Sequence, residues 1–80
     1  MELGLKSTLK MSTADLECGW IAVKANEMMD KIRVGQVLMV TCESREKEED
    51  VDLWLEMTGH ELLRKKKTRG GTKFYVKKIK

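Results

Sequence analysis

Apolar and polar positions alternate over the first stretch of the chain. Leu3, Leu5, Leu9 and Met11 hold one parity, while Lys6, Thr8 and Lys10 hold the other, which predicts a half-buried strand over Leu3–Met11. From Trp20 onward the period changes. Ile21, Ala25, Met28 and Ile32 recur at helical spacing, with Lys24, Glu27, Asp30 and Lys31 on the opposite side, so a first helix follows and stops near Gly35, whose freedom at positive φ suits a helix end. Val37–Thr41 is a short apolar run rich in β-branched residues and predicts a second strand covered on at least one face. Ser44 is placed to cap a second helix whose first turn carries Glu46; Val51, Trp54, Leu55 and Thr58 form its buried stripe, and Gly59 ends it. His60–Lys67 and Thr72–Ile79 flank Thr68-Arg69-Gly70-Gly71 and predict a terminal hairpin. In its second strand, Phe74 and Val76 share the parity expected to face the core.

The order is therefore βαβαββ. Helices between successive strands imply right-handed crossovers, giving an α/β two-layer sandwich in which a mixed four-stranded sheet carries both helices on one face. Its 80 residues form a single domain, with room for one core and none for a deep active-site cavity. A second boundary competes for the first helix, because Ser12-Thr13-Ala14-Asp15 also has the form of a capping box and would bury Cys18 in mid-helix. Gly19 opposes that alternative, since glycine inside a helix costs roughly 1 kcal/mol relative to alanine.

Charge alters the picture at the C-terminal end. Residues 1–63 hold all 13 acidic residues against 7 Lys/Arg, a balance of −6, whereas residues 64–80 hold 9 Lys/Arg and no acid, a balance of +9. The basic hairpin has three readings: lysines guarding an exposed strand edge, a phosphate-directed RNA contact, or a surface that steers an acidic protein. Its aromatic residues are limited to Phe74 and Tyr75, which offers little stacking support. No apolar run is long enough to span a bilayer, and the start lacks the apolar core of a secretory signal; a cytoplasmic protein is expected. Two cysteines and one histidine argue against a disulfide scaffold or a structural metal.

Candidate chemistry centres on Asp15-Leu16-Glu17-Cys18-Gly19-Trp20-Ile21. A cysteine at the start of a helix faces unpaired N–H groups and the positive end of the dipole, which favour thiolate, while Glu17 and Asp15 oppose it. Trp20 lies one position off the buried stripe and is a candidate partner anchor beside Cys18. Cys42 reads as a strand-end core residue. Parallel first and second strands would bring Cys18 and Cys42 to one rim, where a disulfide needs Cα atoms roughly 4.4–6.8 Å apart. His60 reads as structural, and Trp54 as core.

The stretch Cys18-Gly19-Trp20-Ile21, with Gly35, Asp50-Val51, Trp54 and Gly59-His60 at matching distances, resembles the TusA (SirA-like) sulfur-carrier family, whose motif is Cys-Pro-x-Pro at the start of the first helix. No gap is needed from Cys18 to Leu63. Gly19 and Ile21 stand where the family has its prolines, Asp15 where it usually has glycine, and Glu43-Ser44-Arg45 where it has an acidic-proline loop. The resemblance implies a carrier more than a turnover enzyme: Cys18 takes sulfur from the persulfide of a donor such as a cysteine desulfurase and passes it to an acceptor protein, for tRNA thiolation or other sulfur metabolism. Gly19 and Trp20 are then expected in the partner contact, and no metal or cofactor is needed. The alternatives are an RNA-binding module using the basic hairpin and a diverged interaction subunit without sulfur transfer.

Overall fold

The computed structural model describes residues 7–14 and 16–80, and of Cys18 the backbone. Its elements run β1 (Leu9–Ser12), α1 (Cys18–Asp30), β2 (Val37–Cys42), α2 (Arg45–Thr58), β3 (Glu61–Thr68) and β4 (Gly71–Lys77). The sheet order is β1-β2-β4-β3. β1 pairs parallel with β2, and β4 lies antiparallel to both of its neighbours. This is the expected mixed four-stranded sheet with two helices on one face. The part of the first strand anticipated at Leu3 and Leu5 lies outside the described residues.

One continuous core fills the space between the layers. Ile21, Ala25 and Met29 from α1, Ile32 from the loop after it, and Val51 and Trp54 from α2 meet Leu38, Val40, Phe74 and Val76 from the sheet. Phe74 is wholly buried, which alone contributes roughly 2–3 kcal/mol relative to leaving the ring in water. Trp54 keeps its indole N–H satisfied across the helix pair by donating to Asn26 Oδ1 at 2.9 Å.

The helix ends follow different rules. At α2, Ser44 Oγ accepts from the Lys47 N–H at 3.3 Å, Glu46 and Glu48 lie in the first turn, and Gly59 at φ 78° closes the helix with its N–H on the Leu55 carbonyl. Each side-chain or backbone group there replaces a partner that a helix end lacks. The end of α1 corrects the sequence expectation: the helix stops at Asp30, with Lys31 in the ordinary right-handed region, and Gly35 lies in the loop beyond it. The capping group comes from far along the chain. Lys78 Nζ donates to the carbonyls of Met29 at 2.7 Å and Ile32 at 2.9 Å, placing a cation at the negative end of the dipole.

The turn of the β3–β4 hairpin presses on the end of β2. Gly71 has φ 149°, and a Cβ there would collide with the backbone of Cys42 and Glu43. Gly19 differs, because a Cβ at that position would meet nothing. Gly71→Ala is therefore expected to lower unfolding free energy by about 3 kcal/mol through strain and overpacking. Gly19→Ala should be neutral or stabilising by up to about 1 kcal/mol. Urea denaturation of the two variants checks the contrast, which equal effects would contradict.

Candidate functional site

The parallel pairing of β1 and β2 brings their C-terminal ends to one rim of the sheet, with Ser12 opposite Thr41. The segment from Thr13 to Glu17 leaves this rim and delivers the chain to α1. Thr13 is fully buried; its N–H and its hydroxyl both donate to the Thr41 carbonyl, at 3.0 and 2.8 Å. The Leu16 N–H then turns back to the Thr13 carbonyl at 3.1 Å. These contacts exclude the alternative helix start at Ser12, since Ser12 ends a strand and Thr13 is bonded to β2.

Lys47 holds the arrangement from the other side. Its Nζ donates to the carbonyls of Thr13 at 2.8 Å and Ala14 at 3.3 Å and to Glu43 Oε1 at 2.9 Å, and its side chain is only 15% exposed. One ammonium group thus joins the loop before Cys18, the loop after β2 and the first turn of α2. Sequence reasoning missed both Thr13 and Lys47: the threonine was assigned to a possible cap, and the lysine sits inside an acidic run that reads as a wet helix face.

Cys18 is the first residue of α1, two positions earlier than the apolar period alone indicates. Glu17 is the N-cap in extended conformation, its side chain makes no capping hydrogen bond, and the first turn contains no acidic residue. The Trp20 N–H is bonded to the Glu17 carbonyl at 2.9 Å. Among the described residues, no side chain caps the backbone donors of this helix N-terminus. Asp15, the other acid near the cysteine in sequence, lies outside the described residues. Trp20 is 62% exposed, and Val23, one turn on, is exposed too.

The second thiol is of a different kind. Cys42 is a free cysteine with no exposed surface, and burial pushes its pKa from 9.0 to about 11 despite the opposing influence of the Thr13 side chain. Such a group is a packed core thiol, as its position at the strand end implied. His60 is also structural: its ring lies 5.7 Å from that of Trp54, and its Nδ1 accepts the Ile79 N–H at 3.3 Å. Burial, then Lys80 and Lys78, lower its pKa. The neutral form required for that acceptor role is thereby favoured. Among the described residues no group of His, Cys, Asp or Glu is placed to hold a metal ion, and no helix is long and apolar enough to cross a membrane.

These elements make a small βαβαββ sandwich with a cysteine opening its first helix at the rim of a parallel strand pair. The family model described as "Sulfurtransferase TusA" matches residues 13–78, so the chain belongs to the TusA sulfur-carrier family. No curated protein matches it. Without the motif prolines, which fix a helix start through their locked φ, the entry into α1 depends on the contacts of Thr13 and Lys47.

Lys47→Met keeps the aliphatic stem and removes the ammonium. With the part-buried Thr13 carbonyl and the exposed Ala14 carbonyl left without their charged donor, unfolding free energy should fall by about 2 kcal/mol. Glu43→Gln, at a half-exposed partner, should cost less than about 1 kcal/mol. Hydrogen exchange gives the local signature: the Thr13 and Leu16 amides lose protection in Lys47→Met more than those of Leu38 and Val40. Uniform loss across all four would contradict the clamp.

Proposed function

We propose that this chain carries sulfur as a persulfide on Cys18. The observation that carries the reading is the position of Cys18 as the first residue of α1, where the helix dipole and backbone donors that no described side chain caps favour a negative sulfur. The burial and raised pKa of Cys42 support it by leaving that thiol unsuited to the same role.

In the transfer, the Cys18 thiolate attacks the terminal sulfur of a donor cysteine persulfide. An S–S bond forms to Cys18 as the donor's S–S bond breaks, and the electron pair leaves on the donor thiolate. Delivery repeats the exchange: an acceptor thiolate attacks the terminal sulfur, and Cys18 departs as thiolate. No net oxidation or reduction occurs. The chemistry needs a nucleophilic thiol and a surface on which two partners dock in turn. A donor of the cysteine desulfurase type and an acceptor protein fit these steps, with tRNA thiolation or other sulfur metabolism as the destination.

Gly19 and Trp20 follow Cys18 in the first turn of α1 and form the partner contact in this reading. An exposed tryptophan supplies a large apolar anchor, and Gly19 presents no side chain beside it, so a partner's reactive cysteine can approach the first turn closely.

The test is the intact mass of the protein after incubation with a cysteine desulfurase and cysteine, for wild type, Cys18→Ala and Cys42→Ala. The expected result is a reductant-sensitive gain of one sulfur, about 32 Da, in wild type and Cys42→Ala and not in Cys18→Ala. An adduct that survives in Cys18→Ala, or that requires Cys42, would contradict the proposal.

A further inference from the structure

The acidic run of α2 divides in the fold. Of its six acids, Glu48 and Asp52 turn toward the hairpin: Lys65 Nζ lies 4.0 Å from Glu48 and 3.5 Å from Asp52, and Lys67 Nζ lies 3.7 Å from Glu48. Lys47 gives its ammonium group to the carbonyls of Thr13 and Ala14 and to Glu43, which leaves Arg45 as the remaining cation of the helix. Glu46, Glu49 and Glu56 are exposed and, among the described residues, form no ion pair. The outer surface of α2 is therefore negative.

Apolar side chains stand among these acids. The hydrogen bond from the Trp54 indole to Asn26 at 2.9 Å fixes where the two helices face each other. Val23 lies one turn before Asn26, Leu53 adjoins Trp54 and Met57 lies one turn after it, so helical spacing gathers the three about this link. They are 46%, 55% and 77% exposed, and Trp20, one turn before Val23, is 62% exposed. The core takes other positions from both helices. Asp50 stands one turn before Trp54, and its Oδ2 is buried with no hydrogen-bond partner among the described residues, where water screens a carboxylate poorly. Because α1 follows β1, α2 follows β2 and these strands are parallel, both helices start at the rim where Cys18 opens α1.

We propose that the outer face of the helix pair docks a protein whose contact surface carries Lys and Arg around an apolar patch. Exposed apolar side chains bordered by charge mark an interaction surface, and the sign of that charge selects the occupant. Glu46, Glu49 and Glu56 repel a phosphate backbone or an anionic lipid surface, whereas they attract and orient a basic protein. Trp20, Val23, Leu53 and Met57 supply the contact area that ion pairs at an exposed rim do not. The place of this face beside the start of α1 makes the partner a donor or acceptor of the Cys18 sulfur, a clause that rests on the sulfur-carrier reading. The docking itself does not. The basic hairpin of a second copy is another source of such cations, and the test separates the two.

The experiment is amide NMR of the isotope-labelled Cys18→Ser protein, titrated with a peptide of lysine and leucine patterned as an amphipathic helix. A glutamate–leucine peptide of the same pattern is the control. The lysine–leucine peptide is expected to bind, with the largest shifts between Gly19 and Asn26 and between Glu46 and Met57, and to weaken at least about threefold from about 50 to 200 mM salt. Glu46→Gln/Glu49→Gln should weaken it about fivefold and Leu53→Ser/Met57→Ser about tenfold, whereas Glu61→Gln, on β3, should change it less than about twofold. Every substituted side chain is exposed, and thermal melts establish that each variant is folded. No binding, largest shifts in the hairpin, equal binding of the glutamate–leucine peptide, or full affinity in either double variant would overturn the inference. So would concentration-dependent shifts of the free protein at these same residues, which would assign the face to a second copy. Since Cys18 is replaced throughout, sulfur loading plays no part, and failure of the intact-mass experiment is distinguishable from failure of this one.

Discussion

The Lys47 ammonium group is the contact on which the arrangement around Cys18 depends. It donates to two carbonyls of the β1–α1 segment, more than thirty residues away, and to a carboxylate of the adjoining β2–α2 loop, so two parts of the chain that are distant in sequence share one cation. Charge-assisted hydrogen bonds of this kind are roughly twice as strong as neutral ones, and the low exposure of the side chain protects them from solvent screening. Thr13 completes the junction from within by giving both its donors to one carbonyl of β2. The direction in which α1 leaves the sheet follows from these contacts, and with it the placement of the Cys18 backbone.

The same junction separates the two cysteines chemically. Both belong to the C-terminal rim of the parallel pair, but Cys42 is the last residue of β2 and enters the core, whereas Cys18 lies beyond the connecting segment at a helix start. Burial makes a thiol harder to ionise, and a helix N-terminus makes it easier. Gly71 reinforces the first condition, because the hairpin turn lies so close to Cys42 that no side chain fits between them.

Much of this was legible in the sequence. The alternation in β1, the β-branched run of β2, and the Ser44 and Gly59 caps of α2 are local signals, and the fold follows from them together with right-handed crossover. The errors have a common origin in distance along the chain. Gly35 looked like the end of α1 because no nearby residue announced that Lys78, more than forty positions away, would cap its carbonyls. Lys47 has acidic neighbours that give no local sign of its role, and two of its three partners are carbonyls more than thirty residues away. The basic hairpin looked like one block because composition ignores pleating; only the strand register and the ion pairs assign Lys65 and Lys67 to the α2 side and Lys73 and Lys77 to the opposite face of the sheet. At Cys18 the motif lacks its prolines, and tertiary contacts supply what holds the helix start there.

The division between the two thiols is tested most directly by native-state alkylation with iodoacetamide, followed at each cysteine by peptide mass as a function of pH. Cys18 is predicted to react as a thiolate with an apparent pKa below the roughly 8.5 of a free cysteine. Cys42 should remain unmodified at neutral pH, consistent with a pKa of about 11. Faster modification of Cys42 than of Cys18, or a Cys18 pKa above that of a free thiol, would contradict the account.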